Sequence, residues 1–340
     1  MPFWRRASGD EREREEEQKR RAAAQAARAQ ADQADAHRRQ AEDLKRLAAG
    51  GIPAMAGKRL DRLKGSVAAG GSFNSDLSAS ETALLHHAGY APLGLVGGSA
   101  MYHVGEQSGF AERDRELILT SRAYNHATEL AVGRMAKEAR ELRAHGVVGV
   151  RFSFARHDWG ENCIEVKIMG TAVLTAGSRT GKPWLSDLPG QEWWALHQAG
   201  YDAVGLVYAH CVWFAPVTAA DEQIERSGEN KEFKHLRNAL KQSRNVADGR
   251  IQEMARKLDA HGVVGVHLSR RVAEFEHENE FDRPASPHKH HVLMLSVIGT
   301  AVRYRSRPDG APARPQLVVS LRSGKLEPAS STSVPAAVLK

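Results

Sequence analysis

The residues best suited to chemistry in this chain are its histidines, of which there are 16. The densest group is His288-Lys289-His290-His291, preceded by His277 between Glu276 and Glu278. Alternate residues of an extended chain share a face, so His288 and His290 point the same way. Imidazole suits Zn, Cu or Ni, and a hairpin could return His277 or a carboxylate to the same ion. Lys289 inside the group favours the competing reading, a polar hairpin loop at the surface. A second pair is His210 beside Cys211. Thiolate and imidazole together hold a soft ion, whereas a cysteine in an apolar strand is more often a small core residue. His145 and His261 each precede a glycine at the end of a helical stretch. An imidazole there can meet the last helix carbonyls.

Signatures of catalysis are missing. There is no GxGxxG, HExxH or GxSxG. Gly177–Lys182 is one residue short of a phosphate loop, and Pro183 stands where Ser or Thr is needed and removes a backbone donor. No catalytic residue is assigned, and the chain reads as non-enzymatic. The net charge is +7, but the signs interleave, as in Glu11-Arg12-Glu13-Arg14. That pattern is a solvated helix face, and it argues against nucleic acid as a partner. Two cysteines without a CxxC pair, no apolar leader and no apolar run of about 18 residues point to a cytoplasmic protein without a membrane span.

The elements that must position these residues come in two copies. His86-His87-Ala88-Gly89-Tyr90 recurs as His197-Gln198-Ala199-Gly200-Tyr201. Ala144–Val150 recurs unchanged as Ala260–Val266, and Gly170-Thr171-Ala172-Val173 as Gly299-Thr300-Ala301-Val302. Three blocks in one order make an internal repeat. Each copy opens on an apolar strand, Leu93–Val104 or Val204–Val217. A helix follows, with Tyr124, Ala131, Met135, Ala139 and Leu142 on one face, matched by Leu240, Ala247, Ile251, Ala255 and Leu258. Gly146 and Gly262 are expected to supply the left-handed residue past its end. In the strand Val147–Phe154, Val148, Val150, Phe152 and Phe154 alternate with more polar positions. Arg151 and His267 are matched on the less apolar side, where a ring could place them at an interface or lumen. A last strand runs from about Cys163 to Leu174, or from His291 to Tyr304.

These blocks resemble the YbjQ-like family of small bacterial proteins. The resemblance rests on Val147-Val148-Gly149-Val150 with Gly170-Thr171-Ala172-Val173, and on Val263-Val264-Gly265-Val266 with Ser296-Val297-Ile298-Gly299-Thr300-Ala301-Val302. It implies a β-α-β-β fold, assembly into pentamer-like rings through the sheets, and a heavy-metal-binding label that brings no ligand set with it. His145 and His261 stand where that family usually has Asn or Asp.

The expected fold is α+β: two tandem β-α-β-β modules, each a helix on a small antiparallel-rich sheet, behind an N-terminal charged helix. The expected divisions are a helical arm over 1–48, a Gly-rich linker over 49–83 and module 1 over 84–176. A linker over 177–194, module 2 over 195–306 and a Pro/Ser-rich tail over 307–340 follow. The expected function is an oligomer-forming protein that binds a transition metal, Zn, Cu or Ni. The alternative is an interaction scaffold without a metal. The arm is read as an exposed helix or as a helix for a protein partner.

Overall fold

The computed structural model describes residues 7–49, 51–68, 73–105, 114–157, 163–175, 181–228, 230–277, 288–305, 317–319 and 326–328. The chain forms two compact units, residues 1–66 and 67–340. The first holds α1 (Ala7–Ala48) and most of α2 (Ala54–Ala68). Helix α1 is Ala-rich, and exposed pairs such as Arg21–Glu17 at 2.7 Å brace its surface. Asp43 Oδ1 accepts the Ala54 amide at 2.7 Å and so satisfies an orphan donor at the start of α2. The sequence reading placed α2 inside a Gly-rich linker. Gly57 and Gly65 each cost a helix about 1 kcal/mol, but Leu60 is buried and the other residues are mostly good helix formers.

In the second unit α3 (Ala79–His87) leads into β1 (Tyr90–His103), β2 (Arg115–Glu116), α4 (Ile118–Glu141), β3 (Gly146–His157) and β4 (Cys163–Thr175). The repeat follows as β5 (Trp184–Leu185), α5 (Gly190–Gln198), β6 (Tyr201–Pro216), α6 (Ala219–Ser227), α7 (Lys234–Lys257), β7 (Gly262–His277) and β8 (His288–Tyr304). A short hairpin, β9 (Leu317–Val319) and β10 (Leu326–Pro328), lies beyond. The fold is α+β, with the expected β-α-β-β pattern in both copies. No helix among the described residues is long and apolar enough to cross a membrane.

The sheet orders are β1-β4-β3-β5 and β2-β6-β8-β7. Each has the three expected antiparallel strands with the last strand central, plus a fourth from the other module. Strand β5 joins β3 in parallel, and β2 joins β6 antiparallel. Helix α4 lays Ala127, Ala131, Met135 and Ala139 on its sheet. Small residues are required there, because a Cβ on Gly98 of β1 would lie 2.0 Å from the Ala131 carbonyl oxygen. Helix α7 packs Ala247, Ile251 and Ala255 against Val207, Ala209, Leu293, Leu295 and Val297.

Both long helices end in a Schellman motif. The Ala144 amide donates to Ala139 O and the Ala260 amide to Ala255 O. The left-handed residues are Arg143 (φ 57°) and Asp259 (φ 51°), not Gly146 and Gly262. The chain turns three residues earlier than the glycines suggested. His145 and His261 also differ from expectation. Their Nδ1 atoms accept the amides of Thr175 and Tyr304, at 3.1 and 3.0 Å, and so close the end of the last strand. Gly149 and Gly265 sit at φ 64° in β-bulges that shift the register of β3 and β7. The bulge breaks strict alternation, so Val147, Val148 and Val150 are all buried.

Candidate functional site

Module 1 and module 2 are joined by a short strap, Trp184–Leu188. Its backbone runs along the outer edge of β3. Trp184 N donates to His145 O, Ser186 N to Val147 O, Gly149 N to Leu188 O and Val150 N to Ser186 O, at 2.9–3.2 Å. The side chains of its Ser186-Asp187-Leu188 segment turn to the other module. Ser186 Oγ lies 2.9 Å from Thr300 Oγ1, and the Asp187 amide donates to the same Thr300 oxygen. The Leu188 side chain seats over the bulge at Gly265. Trp184 lies flat on Gly146, where a Cβ would be 2.1 Å from the indole, and stacks on Trp193 at 5.7 Å. The strap therefore stitches one module's edge to the next module's body.

The same strap precedes module 1. Ser75 Oγ lies 3.1 Å from Thr171 Oγ1, the Asp76 amide donates to Thr171 Oγ1, and the Leu77 amide donates to Ser75 Oγ. Ser75-Asp76-Leu77 thus repeats Ser186-Asp187-Leu188 in sequence and in bonding. Sequence reasoning missed this tripeptide, although its two copies stand at matched distances before the repeated Gly-Tyr. Phe73 occupies the place of Trp184, but it is exposed. Strand β7 is the edge of its sheet, with no strand beyond it among the described residues. Val150 is 3% exposed in β3, whereas its counterpart Val266 in β7 is 53% exposed, and Leu268 and Val272 are also bare. A Cβ on Gly262, the match of Gly146, would meet only a Val302 methyl at 3.9 Å.

Between the modules lies a groove of about 650 Å³. Arg151 and His267, matched by the repeat, both line it, together with Asp76, Asp187, Arg270 and Arg271. Arg151 Nε pairs with Asp76 at 3.2 Å. Burial raises the Asp187 carboxyl above its usual range, against the lowering effect of the Thr300 hydroxyl bond.

His210 and Cys211 are not brought together as side chains. His210 is buried between the modules, with Nε2 3.0 Å from Thr128 Oγ1 of α4 and Nδ1 3.0 Å from Ser296 Oγ of β8. Burial, and then the Arg250 charge, lower its pKa to about 3. It is a neutral ring bonded at both nitrogens to hydroxyls. Cys211 is the next residue of the strand and so faces away from it, toward α7. Burial pushes its thiol up to about 12. Both cysteines are free thiols.

The His-rich hairpin divides between the two faces of β8. His290 packs its ring against Phe214 at 5.1 Å. His291, on the other face, meets His235 of α7 at 5.3 Å between ring centres. His277 and His288 pair across the strands by backbone register, and their side chains lie outside the described residues. Among the described residues, no three His, Cys, Asp or Glu side chains gather as a metal site. The pair that does form, His235 with His291, was missed because His235 stands far from the hairpin in sequence.

A family profile described as "Putative heavy-metal-binding", of the YbjQ type, matches residues 117–176 and 205–305. The chain is 36% identical over 204 residues to the encapsulin nanocompartment protein Rv1762c of Mycobacterium tuberculosis (strain ATCC 25618 / H37Rv), covering 58% of this chain and 78% of that protein. No solved structure matches the chain.

Proposed function

The chain belongs to the YbjQ-like family, with two copies of its domain in tandem, and from that premise we propose that it works by self-assembly rather than by catalysis. Copies join head to tail. The strap Phe73–Leu77 of one copy lies along the bare β7 edge of another, as Trp184–Leu188 lies along β3 within the chain. The repeat names the bonds: Phe73 N to His261 O, Ser75 N to Val263 O, Gly265 N to Leu77 O and Val266 N to Ser75 O. Phe73 then covers Gly262, and Val266 is buried. The contact uses different surfaces on its two sides, so it closes into a ring or runs on as a filament. Strand edges left open are the usual sites of such pairing. A ring closed by whole chains holds an even number of modules, so a pentamer-like ring of five single modules is not what whole two-module chains close through this contact.

The observation that carries this reading is the contrast between buried Val150 and bare Val266 in identical sequence. The relative's name, an encapsulin nanocompartment protein, supports a role in or with a protein compartment, and we place that role in the cytoplasm. Helix α1, exposed along its described surface, is left for a protein partner. Light scattering on the full chain and on Val266→Lys tests the proposal. The expected result is a multi-chain mass that falls to one chain in the variant, with unchanged circular dichroism. Equal masses for the two proteins would refute it.

A second reading, transition-metal binding, is favoured by the His235–His291 contact. The two imidazole nitrogens, in hydrogen-bond contact at 3.2 Å, stand at the spacing of two ligands on one such ion, with water supplying the other positions, since no third His, Cys, Asp or Glu joins them among the described residues. Both rings belong to module 2, so this reading is independent of the strap.

A further inference from the structure

His235 lies in the first turn of α7, and His291 faces it from β8. Nε2 of His235 and Nδ1 of His291 are 3.2 Å apart. Two nitrogens bound to one tetrahedral ion at ordinary zinc distances stand about 3.3 Å apart. Behind His235, Asp221 Oδ2 is 2.9 Å from Nδ1, and the two side chains are only 8% and 4% exposed. Asp221 is itself fixed at the start of α6, where it accepts the Thr218 amide at 3.1 Å. The carboxylate stands at ion-pair distance from Nδ1 without an aligned hydrogen bond; a small turn of the ring lets it accept the Nδ1 proton in a hydrogen bond and leaves Nε2 to face the ion. That is the usual second shell of a metal-bound histidine.

We propose, resting on the metal reading above, that one divalent ion of the zinc class binds between His235 Nε2 and His291 Nδ1. Asp221 orients His235 and does not touch the ion. Water completes the coordination of an ion held by these two rings. The ion bridges the start of α7 to the sheet beneath it. The site belongs to module 2 alone, because Leu119 of α4 holds the place that His235 has in α7. One ion per chain follows. This assignment moves the metal away from the outer end of the hairpin. His290 faces the opposite side of β8 against Phe214, and His277 and His288 pair three positions farther along the strand.

The test uses the full chain, produced without a histidine tag and stripped with a chelator. Zn²⁺ is titrated by calorimetry, and Co²⁺ by its visible absorption. The expected result is one ion per chain, with His235→Gln and His291→Gln each weakening binding by about a hundredfold. The double variant His277→Gln/His288→Gln should bind within about twofold of the unaltered chain. Absence of binding, retention of affinity in both single variants, or loss of affinity in the hairpin double variant would each overturn the assignment. Mass measured on the same stripped samples separates this outcome from that of the assembly reading, which needs no metal.

Discussion

Strands β3 and β7 carry the same run, Gly-Val-Val-Gly-Val, and fold through the same bulge, yet one is covered and the other bare. Strand β3 has a strap on its edge, an indole over its first glycine and module 2 against its face. Strand β7 has Leu188 over its bulge, but among the described residues no strap lies on its edge and no indole covers its first glycine. Local sequence sets the backbone of both strands identically, and only the neighbour differs. The difference teaches that the repeated run is shaped for a partner strand, and that of the chain's two straps only Trp184–Leu188 lies on such an edge among the described residues. Full burial of a Val or Phe side chain is worth roughly 1.5–3 kcal/mol, so the bare copy leaves substantial driving force for association.

The matched glycines offer the most forceful way to break the comparison. Gly146→Ala puts a methyl group into the Trp184 indole. It should expel the indole and cost about 3 kcal/mol in urea unfolding, at the upper end of overpacking penalties. Gly262→Ala makes only an ordinary contact with a Val302 methyl at 3.9 Å and should change folding stability by less than about 0.5 kcal/mol. It should nonetheless weaken assembly, because the incoming Phe73 would meet the methyl group. Urea melts of the two variants with scattering masses check both halves. Equal costs at the two sites would mean that the strands are not in different surroundings.

The module junction gives a smaller effect that sharpens the comparison. His210 lies in it, whereas its match in module 1 is Ser99, which is exposed. The His210 pKa falls from 6.5 to about 3 on folding, so the unfolded chain takes up a proton that the folded chain refuses. Its contribution is complete above pH 6.5 and is lost as the pH drops toward 3. Going from pH 7 to pH 5 should cost about 2 kcal/mol through this group. His210→Gln should remove that part of the slope, as measured by urea melts at the two pH values. An unchanged slope would mean that the ring is already charged in the folded chain.

Much of the fold was legible because repetition showed which blocks are structural. The helix faces through Ala131, Met135 and Ala139, and through Ala247, Ile251 and Ala255, lie on the sheets as their spacing required. What escaped the reading depends on contacts between distant segments. Strands β2 and β5 are two residues each and have no periodicity of their own; their partners, Phe214 and Val147, define them. Gly146 and Gly262 have the sequence position of helix terminators, but neither is the left-handed residue, and Gly146 serves instead as the seat of the Trp184 indole. His145 and His261 looked like carbonyl partners, yet their rings accept strand amides. At the candidate metal position, His291 was visible in the hairpin and His235 was not. A lone histidine at a helix start carries no mark of what the tertiary fold sets opposite it.

Hydrogen exchange read amide by amide on the full chain tests the central claim most directly. The amides of Gly149 and Val150 should be protected at every concentration, since the strap that covers them is part of the same chain. Those of Gly265 and Val266 should exchange fast in dilute solution and become protected as concentration rises. Fast exchange at Gly265 and Val266 at concentrations where the chain is fully assembled would contradict the account, because the copies would then be meeting through some other surface.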